Sequence, residues 1–263
     1  MATGNYETMT NVAFTSTGYG PLWAPAVASW LRVVSFTARQ FSIEAIGKIG
    51  GVGVTDRTYT MAAQNSLVEE MLVDKSFTHI FMTEMDMVLP HDCITKLLAL
   101  DKDMTSGVYF LRHEFQAGRG QPCLYKKAPM VEAMRSASKE HLSTYGHTPV
   151  SVFPKDTPFQ IDCAGLGCVL FRRSVFEKLA YPWFDLKAHG KEEGAIGYGS
   201  DIFFYSKAKQ AGLELWVDPT IQCKQIDYYE TDIEDYKWQL ENNPKFGAHG
   251  YIIGMAGAHV SKT

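Results

Sequence analysis

The sequence predicts an α/β fold in which helices flank a mostly parallel central sheet. Short apolar runs rich in β-forming residues alternate with longer segments that carry apolar residues at helical spacing. Glycine, proline and polar residues separate these segments, as expected of turns. Hydrophobic residues make up 46% of the 263 residues and charged residues 21%, which is close to the average of globular proteins. Because no internal repeat or convincing linker divides the chain, we expect a single domain over 1–263.

The first half of the chain alternates strands and helices. The predicted elements are a strand at 11–16, a helix at 24–39, a second strand at 41–46, a glycine-rich turn region at 47–53 and a second helix at 60–74. Strand and helix alternation of this kind is typical of parallel sheets, because the helix returns the chain to the edge where the next strand begins.

A short apolar strand at 78–83 lies at the centre of this pattern. It is followed directly by Glu84 and Asp86, and then by Pro90, which suits the first turn of a helix that ends near Leu100. The later predicted elements are strands at 104–111, 159–163, 168–172 and 213–217 and helices at 174–180, 200–212 and 232–240. The polar stretch at 112–158 has no long periodic run, so we expect loops there.

Charge, cysteine content and hydropathy limit the classes of protein that fit the sequence. The formal net charge of −4 gives no long-range attraction to nucleic acid or to an anionic membrane. The five cysteines are odd in number and contain no Cys-x-x-Cys pair, so we expect buried thiols in a reducing compartment. The first residues lack a secretory pattern, and no run approaches the roughly 18 apolar residues that a membrane span needs. We therefore expect a cytoplasmic protein without membrane insertion.

Glu84 and Asp86 are the first candidate functional residues. Because one residue separates them after an extended strand, both carboxylates point to the same side of the chain. In open parallel sheets, ligands bind at the carboxyl ends of the strands. Two carboxylates there can hold Mg²⁺ or Mn²⁺, which bridges phosphates and offsets the charge on a diphosphate leaving group. From the spacing alone, a solvated acidic turn is an equally good interpretation.

Asp201 is the second candidate. It follows Gly199 and Ser200 and precedes an apolar run, which places it in the first turn of a predicted helix, where the helix dipole favours its ionised form. A carboxylate at the edge of a cleft can take the proton from an acceptor hydroxyl as a general base. From the residues around it alone, stabilisation of the helix start is the preferred interpretation of Asp201.

Three sequence blocks resemble GT-A glycosyltransferases and follow one another in the order found in that family. The first is THIFMTEMDMVLPHDCITKLLALDKDMTSGVYFLR, in which a strand ends in an acid-x-acid triplet like the family's DxD motif, followed by a proline, a helix and a strand. The second, similar to the family's acceptor-side element, is FQIDCAGLGCVLFRRSVFEKLAYPWF. The third, similar to its Gly-Glu-Asp helix and the following strand, is GYGSDIFFYSKAKQAGLELWVDPTIQCKQID. The resemblance is strongest to the family-2-like enzymes often encoded by bacteria and phages.

The resemblance implies a metal-dependent glycosyltransferase that moves a sugar from a nucleotide diphosphate sugar, a UDP-sugar by family habit, to an acceptor hydroxyl. Glu84 and Asp86 then bind Mn²⁺ or Mg²⁺ and the donor diphosphate, and Asp201 occupies the catalytic-base position of inverting members. The acceptor stays open among a glycan, a small molecule, a protein and a modified DNA base, because variable loops select it. The implied GT-A (Rossmann-like) single domain has a nucleotide-sugar-binding half at 10–111, an acceptor-side half at 159–227 and a C-terminal tail at 228–263.

The resemblance also indicates residues that contact the two substrates. On the donor side, these are Thr15, Ser16, Thr17, Asp56, Asn65 and Glu84. On the acceptor side, they are Asp162, Gly165, Trp183, Phe184 and Tyr198, with Tyr181 as a further member of an aromatic platform for a sugar. Ordinary turn, helix-surface and core-edge roles compete with each of these assignments.

Three positions depart from the family's pattern. Glu84 stands where the triplet usually begins with Asp, and Ser200 stands where a Glu usually precedes the catalytic Asp. The family commonly places a metal-binding His after the last sheet strand, whereas this chain has Gln225 there and Asp227 two residues later. Gln225 and Asp227 are therefore the candidates to complete the metal site, with the histidines near the C-terminus as a fallback.

Three other classes of protein are alternatives to an active glycosyltransferase. A dinucleotide-binding dehydrogenase is a poor match, because Trp23 holds the third glycine position and Pro21 disrupts the loop. A zinc hydrolase is set aside, because the eight histidines form no His-Glu-x-x-His or His-x-His group. A catalytically impaired GT-A-fold module that binds a nucleotide sugar or glycan fits the changes at Ser200 and Gln225 and stays as the alternative function.

Overall fold

The structure is a computed structural model that describes residues 9–18, 22–56, 59–111, 120–127, 147–186, 199–226, 230–231, 233–242 and 251–252. The first half contains, in chain order, β1 (Thr10–Gly18), α1 (Ala24–Glu44), β2 (Gly47–Asp56), α2 (Thr60–Val73), β3 (His79–Glu84), β4 (Met87–Val88), α3 (Cys93–Ala99) and β5 (Met104–Val108). The second half contains β6 (Leu124–Lys127), β7 (His147–Val152), β8 (Phe159–Ile161), β9 (Cys163–Ala164), β10 (Cys168–Arg172), α4 (Arg173–Lys178), α5 (Ser200–Gln210), β11 (Leu215–Gln222), β12 (Lys224–Ile226), β13 (Glu230–Thr231), α6 (Ile233–Asn242) and β14 (Tyr251–Ile252). Within the described ranges, every helix is too short or too polar to cross a bilayer.

A seven-stranded sheet in the order β2-β1-β3-β10-β5-β11-β8 forms the centre of the fold. The pairs β1–β2, β1–β3 and β5–β11 are parallel, and β10 and β8 run antiparallel to their neighbours. All strands except β10 and β8 therefore point the same way. The expected fold class, α/β with a mostly parallel central sheet flanked by helices, is confirmed.

Two smaller sheets attach to the carboxyl-end side of the central strands. One has the order β13-β12-β4 and the other the order β14-β7-β6-β9. In the first, β4 follows the turn after β3 and pairs with β12, so that Met87 lies opposite Gln225. This pairing brings the end of β3 next to a segment more than a hundred residues later in the chain.

Aromatic side chains fill much of the core. Phe14 of β1 lies 5.4 Å from Phe81 of β3 and 6.0 Å from Trp30 of α1, measured between ring centroids. The indole Nε1 of Trp30 donates to the carbonyl of Met87 at 3.1 Å, which fastens α1 to β4. All five cysteines are buried free thiols, as the sequence predicts.

The outer edge of the sheet differs from the sequence prediction. Residues 41–44, expected to begin a strand, continue α1, because Phe41 extends the buried face that Val33 and Thr37 form at helical spacing. Ala45 ends that helix in the left-handed conformation, with φ at 53°. The glycine-rich segment expected to be a turn is the edge strand β2.

Close packing explains why glycines build this strand. A Cβ atom on Gly47 would lie 1.7 Å from the carbonyl oxygen of Thr10, and one on Gly53 would lie 2.6 Å from Cδ2 of Leu67. At Gly47 and Gly53, the strand therefore packs closely against β1 and α2 because side chains are absent there. Because glycines interrupt the apolar residues of β2, this segment lacks the apolar run that identified the other strands, and it was predicted as a turn region.

Two further boundaries differ. The strand expected at 213–217 continues to residue 222 through a register irregularity at Asp218 and Pro219. Oδ1 of Asp218 accepts hydrogen bonds from the backbone N–H and the hydroxyl of Thr220, at 2.9 and 2.7 Å, which stabilises the irregular backbone. The expected loop region at 112–158 contains β6 and β7, which pair with each other.

Candidate active site

Glu84 and Asp86 lie at the carboxyl end of β3, beside the end of β1. Glu84 is the last residue of β3 and is opposite Thr17 in the parallel pairing with β1. The N–H of Met85 donates to the carbonyl of Thr17 at 3.0 Å, and a Cβ atom on Gly18 would lie 2.7 Å from Cγ of Met85. The absence of a side chain at Gly18 therefore lets the turn that carries both acids pack against β1.

Asp86 lies against Gln225, one of the predicted metal ligands. Nε2 of Gln225 donates to Oδ2 of Asp86 at 3.3 Å, and the N–H of Ile226 donates to the carbonyl of Asp86 at 2.8 Å. The Gln225 side chain is 8% exposed, and its Oε1 is buried without a hydrogen-bond partner among the described residues. The β4–β12 pairing thus joins one acid of the triplet to the position where the resemblance implies a histidine.

Acidic side chains and histidines alone do not form a metal site among the described residues, so other oxygen ligands must be considered. Within the described part of the chain, no group of three or more His, Cys, Asp or Glu side chains is arranged to hold a metal ion. The amide of Gln225 is the nearby neutral oxygen donor, and the remaining predicted ligand, Asp227, lies outside the described residues. Carboxylate and amide oxygens are the donor types that Mg²⁺ and Mn²⁺ prefer.

Asp201 lies in the first turn of α5, as predicted, and is partly buried. Its Oδ1 accepts a hydrogen bond from the backbone N–H of Ile202 at 2.8 Å. Burial raises the pKa of Asp201 above its usual range, although the backbone N–H of Ile202 acts in the opposite direction. The carboxyl is therefore a stronger base than an exposed aspartate.

Two buried side chains connect Asp201 with Glu84. Burial raises the pKa of Tyr109, and the charges of Glu84 and Asp201 raise it further. Burial likewise raises the pKa of the Cys123 thiol to about 12, with contributions from Asp201 and Glu84. Because such electrostatic effects fade with distance, both carboxylates must lie near the same tyrosine and thiol. The predicted metal-binding acid and the predicted base thus both act electrostatically on the same buried tyrosine and thiol.

Gly165, a predicted acceptor residue, packs on that cluster. A Cβ atom there would lie 1.8 Å from the Tyr109 hydroxyl oxygen and 2.7 Å from the sulfur of Cys123. Its backbone N–H donates to the carbonyl of Cys123 at 3.1 Å. Gly167 is also tightly packed, since a Cβ atom there would lie 2.4 Å from the sulfur of Met87. The turn at 165–167 therefore needs glycine in order to enclose the Tyr109 ring.

Sequence reasoning missed Tyr109 and Cys123, and it also missed Tyr125 and Tyr205. Burial raises the pKa of Tyr125 and of Tyr205, and Asp201 contributes to both shifts. The sequence signal for these residues was the position of Tyr109 near the end of the predicted strand at 104–111, which follows the acidic triplet. Cys123 and Tyr125 come from a polar stretch without periodicity, so no pattern in the sequence indicated that they return to the site.

The predicted donor residues of β1 are deeply buried. Thr15, Ser16 and Thr17 are at most 4% exposed, and the Thr15 hydroxyl donates to the carbonyl of Phe81 at 3.0 Å. The Ser16 hydroxyl is buried without a hydrogen-bond partner among the described residues. Asp56 ends β2 opposite Gly18, so its backbone reaches the same edge of the sheet; its side chain lies outside what the structure describes.

Asn65, the remaining predicted donor residue, fastens the segment after α4 to α2. Its Oδ1 accepts hydrogen bonds from the backbone N–H groups of Trp183 and Phe184, both at 3.1 Å, and its Nδ2 donates to the carbonyl of Phe184 at 2.7 Å. These three hydrogen bonds engage the side-chain amide of Asn65 with backbone groups. The competing structural role therefore accounts for its contacts, and a role in donor binding stays a prediction.

Trp183 and Phe184 of the predicted aromatic platform point into the core. They are 7% and 1% exposed, and the indole of Trp183 donates to the carbonyls of Phe176 and Leu179 at 2.9 and 3.1 Å. The ring of Phe184 stacks on Phe204 at 4.8 Å. Only Tyr181 of these three aromatic residues is well exposed, at 61%. Tyr198 lies outside the described residues.

Asp162, also predicted on the acceptor side, is engaged with lysines. One carboxylate oxygen forms an ion pair with Lys209 of α5, and the other accepts from the backbone N–H of Lys127 at 2.7 Å. Burial alone would raise the pKa of Asp162, but these contacts and the charge of Lys126 lower it overall. The carboxylate therefore joins β6 to α5.

Comparisons with known proteins indicate the fold. No protein-family model matches the chain, and no curated protein matches it. Among solved structures, A197 from STIV matches with a TM-score of 0.51 and 13% identity, over 83% of this chain and 86% of that chain. GalNAc-T7 with UDP, GalNAc and Mn²⁺ matches with a TM-score of 0.48 and 11% identity, over 92% and 50% of the two chains. The catalytic domain of Drosophila beta1,4galactosyltransferase 7 in complex with xylobiose matches with a TM-score of 0.44 and 12% identity, over 86% and 69%. At these identities, the likeness to A197 is one of fold.

Proposed function

We propose that the chain is a metal-dependent GT-A glycosyltransferase that transfers a sugar from a nucleotide diphosphate sugar to an acceptor hydroxyl with inversion. The observation that carries this proposal is the shared environment of Glu84 and Asp201 around Tyr109 and Cys123. An acid at a strand end and an acid at a helix start both raise the pKa of the same two buried groups, which supports a donor site beside a catalytic base. The three sequence blocks that resemble this family supply the same residues independently.

Glu84, Asp86 and Gln225 fit a site for Mn²⁺ or Mg²⁺. All three offer oxygen atoms, and Asp86 and Gln225 already lie 3.3 Å apart at the Oδ2 and Nε2 atoms. The buried Oε1 of Gln225 lacks a hydrogen-bond partner among the described residues, and coordination to a cation would compensate for that. When bound there, the ion would offset negative charge on a diphosphate leaving group. Asp227 is a further candidate ligand.

Asp201 would take the proton from the acceptor hydroxyl as that oxygen attacks the anomeric carbon. Its raised pKa suits this role, because a base is most effective when its pKa approaches the working pH. The hydrogen bond from the N–H of Ile202 to Oδ1 helps to fix the orientation of the carboxylate. Attack from the side opposite the leaving diphosphate inverts the configuration at the sugar.

The donor is proposed to be a UDP-sugar, with Thr15, Ser16, Thr17 and Asp56 forming its nucleoside pocket. The buried Ser16 hydroxyl, which has no hydrogen-bond partner among the described residues, supports a polar ligand at the end of β1. A glycan, a small molecule, a protein or a modified DNA base are the acceptor classes to screen.

Donor hydrolysis tests the proposal without a known acceptor. The full chain is incubated with a panel of nucleotide sugars, with and without Mn²⁺, and release of nucleoside diphosphate is measured. We expect slow release from one donor that depends on Mn²⁺, and a loss of about 10²-fold or more in Asp201→Asn, because that change removes the base that would activate the attacking water. Donor binding without release from any donor would instead support the catalytically impaired binding module, which the residues Ser200 and Gln225 make the alternative.

A further inference from the structure

Residues 180–184 form a bridging segment that contacts both α2 and α5. On the side of α2, Asn65 binds the backbone N–H groups of Trp183 and Phe184 and the carbonyl of Phe184. α2 belongs to the half of the chain predicted to bind the nucleotide sugar, and α5 carries Asp201. One short segment thus ties the proposed donor side to the helix of the proposed base.

Lys207 of α5 holds the other side of the bridging segment. Its Nζ donates to the carbonyls of Ala180 and Pro182, both at 2.6 Å. Hydrogen bonds from a charged donor are roughly twice as strong as those between neutral groups. Desolvation lowers the pKa of Lys207, and the charge of Asp185 acts in the opposite direction. The ammonium group is thus engaged with backbone carbonyls rather than extended into solvent.

Aromatic packing carries the position of the bridging segment into α5. The ring of Phe184 stacks on Phe204, with ring centroids 4.8 Å apart and planes inclined by 20°. Both rings are buried, and Phe176 of α4 lies 6.3 Å from the first and 5.7 Å from the second. Phe204 comes three residues after Asp201, so the two side chains are neighbours on the helix. Because close-packed rings do not move separately, a shift of the segment would also move the first turns of α5.

We propose that Lys207 is a positioning residue, which holds the bridging segment so that Asp201 keeps its place relative to the donor-binding half. Lys207 lies about 9 Å along the helix axis from Asp201, so it acts through the packing of α5 and not by contact with the base. The inference rests on the proposed function, in which Asp201 is the catalytic base. A displacement of about 1 Å at a reacting group can lower a rate by about 10²-fold.

Steady-state donor hydrolysis with Mn²⁺ tests this role in the full chain. Lys207→Met keeps the aliphatic stem and removes the ammonium group. We expect kcat to fall about tenfold while the KM for the donor changes little, because the donor site itself is untouched. A lysine that only stabilises the fold would leave the kcat of the folded protein unchanged, so near-ultraviolet circular dichroism confirms that each variant is folded.

Two further variants make the result graded. Lys207→Arg can still donate to both carbonyls and should retain most of kcat, whereas Lys207→Gln keeps a neutral donor and should fall between the Arg and Met variants. If Lys207→Met does not fold, the difference between the Arg and Gln variants decides the test. Lys178→Met is the matched control, because Lys178 is exposed at the end of α4 and directly precedes the bridging segment by sequence. Its kcat should not change.

Hydrogen exchange followed by mass spectrometry gives a second readout that needs no donor. In Lys207→Met, peptides covering 180–186 and 200–208 should exchange faster, and a peptide covering β3 should not change. An unchanged kcat or unchanged exchange at 180–186 in Lys207→Met would overturn the inference, as would an equal loss of kcat in Lys207→Arg or Lys178→Met. These results leave the proposed function intact, since the unmodified chain still hydrolyses its donor. Absence of hydrolysis in the unmodified chain would instead end the proposed function, and a positioning role in that reaction with it.

Discussion

Asp201 experiences two opposing influences at the start of α5. Burial raises its pKa, and the hydrogen bond from the N–H of Ile202 lowers it by a smaller amount. The ionised carboxylate is therefore less stable in the folded protein than in the unfolded chain. A general base must be ionised to act, so the proposed function keeps a charge in a place where it reduces stability.

Asp201→Asn should stabilise the protein at neutral pH. The wild-type pKa is raised on folding, so the destabilising effect of the charge is complete above the folded pKa and disappears below the unfolded value near 3.8. The asparagine keeps an Oδ1 that can accept from Ile202 and removes the charge. Urea denaturation at pH 7 and pH 4 should show a higher free energy of unfolding for the variant, with a smaller gain at the lower pH.

Asp185→Asn is the matched control for this measurement. Oδ1 of Asp185 also accepts from the backbone N–H of the next residue, at 2.7 Å, but the side chain is exposed. We expect no comparable gain in stability. A destabilised Asp201→Asn at neutral pH, or a gain that increases as the pH falls, would show that the raised pKa is incorrect.

The sequence indicated the acidic residues of the candidate site but not their surroundings. Glu84 and Asp86 follow an apolar run, and a pattern of that kind is local to the chain. The roles of Asn65 and Phe184 depend on contacts 119 residues apart, and no local pattern reports them. Asn65 and Trp183 were predicted as ligand-binding residues, whereas their described hydrogen bonds are with backbone groups.

At the scale of elements, the turn at 165–167 joins the central sheet to the site. It encloses Tyr109 between β9 and β10, and Tyr109 in turn lies near both Glu84 and Asp201. The position of that ring therefore depends on the absence of side chains in the turn. The sequence pattern Gly-Leu-Gly predicted a turn but did not indicate which ring packs against it.

Gly165→Ala should destabilise the fold by about 1–3 kcal/mol, because the added methyl group would overlap the Tyr109 hydroxyl and must displace it. Chemical denaturation measures the change. Gly50→Ala is the matched control, since a Cβ there meets nothing within 4 Å among the described atoms. Adding Tyr109→Phe to Gly165→Ala should recover part of the loss, and equal stability of the Gly165 and Gly50 variants would contradict the packing described for this turn.

Asn65 connects α2 to the segment after α4 through three hydrogen bonds. Asn65→Ala should therefore reduce the free energy of unfolding by on the order of 3 kcal/mol, since it leaves buried backbone groups without partners. Urea denaturation followed by tryptophan fluorescence measures this loss, with exposed Glu69→Ala on the same helix as control. Unchanged stability combined with weaker donor binding would instead support the donor-binding role predicted for Asn65.

At the scale of the whole molecule, the predicted fold class and the order of most elements are correct. The strands with apolar runs were found, because burial on both faces of a central strand leaves a clear pattern. The edge strand β2 was missed because glycines build it, and β6 and β7 were missed because their stretch is polar. The convergence of β3, β4 and β12 at one edge could not be predicted from any of these segments alone, since it depends on sheet order.

The account depends on one claim, that Glu84 and Asp86 at the end of β3 hold a cation and, through it, a diphosphate. Isothermal titration of UDP, GDP, CDP and dTDP into the full chain, with and without Mn²⁺, tests this claim most directly. We expect one nucleotide to bind only with Mn²⁺, Asp86→Asn to reduce that binding by about tenfold or more, and Asp201→Asn to retain it. Equal binding by Asp86→Asn and the unmodified chain, or nucleotide binding that does not depend on Mn²⁺, would contradict the account.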